Sequence, residues 1–205
     1  MRTKALALLF LALIACEKKT QTQTPEPVKE AADAAQAEAP KPPADDVILI
    51  GEVGSLTGAE AAFGISTRNG IELAVEEANE AGGVKGKKLQ VRVYDDQSKP
   101  EEAASAVTRL ITQDGVKLIL GEVASSNSLA MAPKAQDAKV PMISPSSTNP
   151  TVTEVGDYIF RVCFIDPFQG YVMAKFARED LKFNTAAILK DVKSAYSVGL
   201  TEVFE

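Results

Sequence analysis

The sequence predicts an α/β fold: an open parallel sheet covered by helices on both faces. Three observations carry this. Short apolar runs such as Val47 to Ile50 and Val116 to Leu120 end at a glycine, as strands buried on both faces do. Between such runs lie stretches whose apolar residues recur at helical spacing. The two kinds of segment alternate, which builds βαβ units with right-handed crossovers.

Taken in order, Val47-Ile48-Leu49-Ile50 is the first strand, and a loop of small residues follows it. Ile71, Ala74, Val75 and Ala78 fall on one face of a helix that stops at Gly82-Gly83. Leu89 to Tyr94 is the second strand. Ser98-Lys99-Pro100-Glu101 has the spacing of a capping box with proline in the first turn. Ala103, Ala106, Val107, Leu110 and Ile111 make the buried stripe of that helix, which ends at Asp114-Gly115. Val116 to Leu120 is the third strand. Leu129, Ala132, Ala135 and Ala138 mark a small-faced helix, and Pro141 to Ser144 a fourth strand. Tyr158 to Ile165 reads as a strand, Asp166 to Leu181 as a helix, Thr185 to Leu189 as a strand, and a last helix begins near Ser194. It reaches Glu205 without a closing signal, and a fragment of a longer chain is the expectation.

The N-terminal residues read as an address. Arg2 and Lys4 precede a continuous apolar run from Ala5 to Ala15, too short to span a bilayer and right for a signal-peptide core. The run stops at Leu13-Ile14-Ala15-Cys16, which resembles a bacterial lipobox and implies a lipid anchor on Cys16. Residues 1–16 are thus expected to be a lipoprotein signal, and residues 17–45 a linker. That linker holds five of the 11 prolines and almost nothing large and apolar, so it cannot offset its chain entropy by burial.

Composition excludes several functions. The 205 residues are 45% hydrophobic and 24% charged, a soluble globular balance rather than a polytopic membrane protein. A net charge of −6 without a basic run argues against a nucleic-acid partner. With no histidine, a His-based triad or zinc site is excluded. Cys16 and Cys163 cannot build a disulfide framework or a four-thiolate site; Cys163, in an apolar run, reads as a small buried hydrophobe. No cofactor is expected.

Open parallel sheets bind ligands at the carboxyl ends of their strands. After strand one, Gly51 to Gly58 is glycine-rich but is neither G-x-G-x-x-G nor a phosphate loop. Asp95-Asp96-Gln97-Ser98 reads as a turn and cap. After strand three, Gly121-Glu122-Val123-Ala124-Ser125-Ser126-Asn127-Ser128 enters a helix, where hydroxyls and free N–H groups suit a carboxylate. Ser144-Pro145-Ser146-Ser147-Thr148-Asn149-Pro150 follows strand four as a second hydroxyl-rich loop at the same edge, and two such loops point to one ligand site. Glu72, Glu76, Glu77 and Glu80 read as a solvated face.

Gly51 to Gly58 (Gly-x-x-x-Ser-Leu-Thr-Gly), the segment Asn69 to Gly86, Asp95-Asp96-Gln97-Ser98 and Pro141 to Pro150 together resemble the leucine/isoleucine/valine-binding proteins of ABC importers. The resemblance implies two α/β lobes closing on a ligand, with residues 46–162 as an incomplete first lobe and 163–205 as the start of the second. It places Ser125 and Thr148 at hydroxyls that hold an amino acid's α-carboxylate, with the backbone of Val123 and Ser146 beside them. Phe63 falls at an aromatic lining the pocket and Tyr196 at an aromatic from the second lobe; on sequence alone Phe63 also reads as a core aromatic. The implied partners are a branched-chain or related amino acid, an ABC permease, and the membrane through Cys16, on the extracytoplasmic side. Amide, urea or aromatic-acid ligands, a sensor module and an α/β enzyme are the alternatives; the last lacks a G-x-S-x-G or any histidine.

Overall fold

The computed structural model describes residues 47–205; the expected signal, Cys16 and the linker over residues 17–45 lie outside them. One sheet of five parallel strands is formed by β1 (Val47–Gly54), β2 (Lys88–Asp95), β3 (Ile119–Leu120), β4 (Met142–Ser144) and β5 (Ile159–Arg161), in the order β2-β1-β3-β4-β5. The crossovers carry α1 (Ala61–Glu80), α2 (Pro100–Arg109), α3 (Ser125–Asp137) and the one-turn α4 (Thr151–Glu154); α5 (Asp166–Lys175) and α6 (Ala195–Phe204) follow the last strand. Because β1 lies between β2 and β3, the connections leave it in opposite directions, and a crevice opens at the carboxyl ends of β1 and β3.

The core sits on the α2 and α3 side of the sheet. Val53, Val107, Leu110, Ile119, Met131, Met142 and Val152 pack there at 1% exposure or less. The stripe of α2 is the one its periodicity predicts. Its last turn, Leu110–Asp114, widens into a π-helical turn and closes at Gly115, whose φ of 68° is the left-handed cap glycine supplies without strain. The α3 stripe differs in part: Met131 is inside and Ala138 is exposed.

The opposite face is covered more thinly. Helix α1 begins ten residues before Ile71, and of its expected stripe Ile71, Val75 and Ala78 are half-buried while Ala74 is exposed. It is held at its start, where Gly64 lies so close to Ser55 that a Cβ would meet the Ser55 carbonyl oxygen at 2.1 Å. The acidic residues Glu72, Glu76, Glu77 and Glu80 are exposed, and Glu72 pairs with Arg68 at 2.8 Å.

Four local expectations are corrected. Ser98 is not the cap of α2: Lys99 occupies that position, and the Ser98 hydroxyl instead accepts the Glu60 N–H at 3.1 Å and donates to the Thr57 carbonyl at 3.0 Å. The turn at Gln97 and Ser98, both at positive φ, aims that hydroxyl at the first loop. Strand β5 stops at Arg161 instead of Ile165, leaving Phe164 and Ile165 exposed. Cys163 therefore lies beyond the strand, half-buried, with its thiol donating to the Ser147 carbonyl at 3.5 Å, and burial pushes the thiol up. Thr185 to Leu189 forms no strand, because no segment among the described residues pairs with it. Strand β3 is shorter than Val116 to Leu120, although bonds from Lys117 N to Leu49 O (2.9 Å) and from Gly51 N to Leu118 O (2.8 Å) start its pairing earlier.

Candidate functional site

The crevice between β1 and β3 is filled by the protein's own polar groups. Ser55, just past β1, donates its N–H to Glu122 Oε1 at 2.9 Å, and its hydroxyl lies 2.9 Å from Asp96 Oδ1 and 3.0 Å from Glu122 Oε1. A hydroxyl has one hydrogen, so both contacts become hydrogen bonds only when one acid carries a proton. Burial pushes Glu122 up to about 7, and the Asp96 charge adds to it; burial also raises Asp96. Asn127 Nδ2 donates to Asp96 Oδ2 at 2.9 Å, so the first turn of α3 is tied to the loop after β2.

Asp95 does the same for the first loop. Burial works against its charge, yet the Thr57 hydroxyl at 2.6 Å and the N–H groups of Gln97, Thr57 and Leu56 outweigh that and hold it below the usual carboxylate range. Asp95-Asp96-Gln97-Ser98 is thus a turn whose acids brace neighbouring loops. No group of three or more His, Cys, Asp or Glu among the described residues is placed to hold a metal ion.

The loops after β3 and β4 are sewn together at one point. The Glu122 carbonyl accepts the hydroxyls of Ser144 (2.7 Å), Ser128 (3.0 Å) and Ser147 (3.0 Å). From the far side, the Arg161 guanidinium donates to the carbonyls of Ser147, Asn149 and Pro150 and to the Thr153 hydroxyl, fixing the path of the β4 loop.

Four of the residues expected at the site come together here. The Val123 carbonyl accepts the Ser146 hydroxyl at 3.1 Å, and Ser125 Oγ accepts the Asn149 N–H at 3.3 Å. The Ser125 hydroxyl hydrogen is left free. Thr148 Oγ1 and both carboxylate oxygens of Asp166 at the start of α5 are buried and, among the described residues, make no hydrogen bond of standard geometry, although the Thr148 hydroxyl faces the Asp166 carboxylate closely enough to favour its charge. Burial raises Asp166, with the Thr148 hydroxyl and the Arg161 charge working the other way. Tyr196, 38% exposed, is brought toward these loops through its neighbour Ala195, which bonds Ser126 and Asn149. Phe63 is not a core aromatic: it is 69% exposed in the first turn of α1, one residue before Gly64. It shares the carboxyl edge of β1, and among the described residues no aromatic pair includes it.

Several residues that build the site are not singled out individually by the sequence, although Glu122, Ser126 and Asn149 lie within the two polar loops it points to. Glu122 lies in an ordinary strand-end loop and is fully buried; Arg161 is a lone base in an apolar run; Ser126 and Asn149 look like ordinary turn residues. Elsewhere, Glu52 on β1 is 1% exposed with neither carboxylate oxygen bonded among the described residues, and burial pushes it up to about 7 against the nearby Arg68 charge. An open groove of about 630 Å³ between α1 and β2, lined by Val75, Asn79, Leu89 and Val91 among others, lies away from the hydroxyl loops.

A parallel sheet in this order, with its polar loops gathered at the carboxyl edge, is the type I periplasmic-binding-protein fold. The chain belongs to the periplasmic binding protein family, whose sequence model matches residues 47–205. It is 41% identical over 162 residues to the leucine-, isoleucine-, valine-, threonine- and alanine-binding protein of Pseudomonas aeruginosa, covering 78% of this chain and 43% of that one. Among solved structures, the leucine-binding protein LivK of Thermotoga maritima superposes with a TM-score of 0.73 at 43% identity, over 77% of this chain and 44% of that one. The substrate-binding protein LivJ of Streptococcus pneumoniae, solved with isoleucine, gives 0.74 at 37% identity, over 77% and 45%. The chain thus spans less than half the length of these relatives.

Proposed function

We propose that this chain is part of the ligand-binding component of an ABC importer and holds a branched-chain or related amino acid at the carboxyl ends of β3 and β4. The observation that carries the reading is the pair of hydroxyl-rich loops joined at the start of α3, where Ser125 and Thr148 present buried hydroxyls that donate no hydrogen bond of standard geometry among the described residues, that of Thr148 facing Asp166. Ser125 and Thr148 hold the α-carboxylate, the backbone of Val123 and Ser146 frames it, and Phe63 and Tyr196 wall the side chain. The 13-residue α3 starts without a side-chain cap, so the N–H groups of its first turn favour an anion there, while the Ala124 N–H just before them is held by Glu122 Oε2 at 2.6 Å. Both hydroxyls are buried in this structure, Ser125 at 2% and Thr148 at 7% exposure, so a ligand enters only as the segment around Ala195 moves away and is enclosed as it returns.

The protein works by binding alone and performs no bond chemistry. Residues 46–162 belong to one lobe and 163–205 open a second; Cys16 carries the lipid anchor that keeps the protein on the extracytoplasmic side, beside its permease. Calorimetric titration of the full chain with leucine, isoleucine and valine tests the reading. Saturable binding of these acids supports it; binding of aliphatic amides or urea with no response to the three amino acids overturns it.

A further inference from the structure

Ser126 and Asn149 each stand one residue after a proposed ligand hydroxyl, and both bond the same residue of a distant segment. The Ala195 N–H donates to Ser126 Oγ at 2.9 Å, across 69 residues, and the Ala195 carbonyl accepts Asn149 Nδ2 at 2.9 Å, across 46. The Asn149 amide has one sensible orientation: its Oδ1 accepts the N–H of Thr151 at 3.0 Å and the Thr151 hydroxyl at 2.6 Å, so its NH₂ must face Ala195. The Asn149 N–H meanwhile donates to Ser125 Oγ at 3.3 Å, which ties the two loops that present the pair.

Helix α6 is shaped to accept this. Ser194 caps it, its Oγ accepting the Ser197 N–H at 3.2 Å, so bonds to Ala195 set the direction in which the helix starts. Gly199 lets it approach: a Cβ there would lie 2.8 Å from Asn149 Nδ2 and 3.1 Å from Asp166 Oδ2. Tyr196 follows Ala195 directly, and its hydroxyl oxygen accepts Gln169 Nε2 at 3.0 Å.

We propose that Ser126 and Asn149 are positioning residues, a two-point clamp on Ala195 that fixes Tyr196 beside Ser125 and Thr148 and holds the site closed. The effect on ligands rests on the amino-acid-binding reading above, whereas the clamp itself does not. A clamp acts on the equilibrium between open and closed forms, so its loss weakens every ligand by one factor, while loss of a pocket wall changes the ranking among ligands.

The test combines amide hydrogen exchange at Ala195 with leucine, isoleucine and valine titrations of the full chain as wild type, S126A, S126T and N149A. Ser126→Ala should speed Ala195 exchange at least ten-fold, and Ser126→Thr, which keeps the acceptor, should restore protection. Ser126→Ala and Asn149→Ala should each weaken all three amino acids by about the same five- to ten-fold, with their order unchanged. Unchanged Ala195 exchange in S126A overturns the clamp, as does a reordering of the three ligands. If wild type binds none of them, the amino-acid reading falls, and the exchange measurement alone still decides the clamp.

Discussion

The buried acids give the site region a pH dependence with a definite sign. Glu122, fully buried and shifted from 4.5 to about 7, keeps its proton in the folded chain over a range where the unfolded chain has released it. The Glu122 contribution is therefore fully present below about pH 4.5, declines as pH rises toward 7 and is gone above that, whereas Asp95, held below the usual range, contributes stability that is lost as pH falls. Glu52, shifted over the same range as Glu122, acts in the same direction as Glu122. Replacing Glu122 by Gln should flatten the decline by roughly 3 kcal/mol, read as urea unfolding at pH 5 and pH 8; an identical decline in both proteins would mean that Glu122 is ionised when folded. Phe63, exposed at the cleft edge, has another signature: Phe63→Ala should reorder affinities among leucine, isoleucine and valine, and an unchanged order would remove it from the pocket wall. At this scale the two hydroxyl-rich loops were legible only as a pair, because Ser and Thr at a single strand end or helix start are usually caps and turns and two such loops at one sheet edge are what single them out. It concealed Glu122 and Asp166, because a buried carboxylate is shaped by neighbours up to 67 residues away.

At the scale of elements, two glycines of α1 make opposite predictions. Gly64 packs on the Ser55 backbone, and a Cβ would meet its carbonyl oxygen at 2.1 Å, whereas Gly70 has nothing within 4 Å. Gly64→Ala should cost about 3 kcal/mol by forcing α1 off the β1 loop. Gly70→Ala should add roughly 0.5 to 1 kcal/mol by removing the backbone-entropy cost of glycine within a helix. Thermal unfolding of the two variants separates them, and equal shifts would contradict the packing described for α1. The helices with one strong apolar stripe, α2 above all, were legible from periodicity, since a continuous core lies under them. The start of α1 was not, because a glycine contact rather than an apolar stripe holds it. Residues 185–189 misled for a related reason: β-branched and apolar composition makes a strand only where a neighbouring chain supplies hydrogen bonds.

Over the whole molecule, the alternation of strands and helices was enough to read a parallel sheet, and the order that places the crevice beside β1 and β3 came from the structure. The proposed anchor is tested at Cys16: Cys16→Ser should shift the protein from the membrane fraction to unlipidated precursor or soluble form, and mass spectrometry finding an unmodified Cys16 in mature wild-type protein would contradict the anchor. Recognition of the ligand's carboxylate is the central property of the proposed site. Affinities of the full chain for leucine and for leucinamide, measured in wild type, Ser125→Ala and Thr148→Ala, test it most directly. If each hydroxyl donates a charge-assisted bond, each variant loses roughly 1.5 to 3 kcal/mol, about ten- to a hundred-fold, on leucine. The amide should bind wild type weakly and respond little to either substitution. Wild-type affinity for leucine in both variants, or an amide that binds as tightly as the acid, would contradict the account.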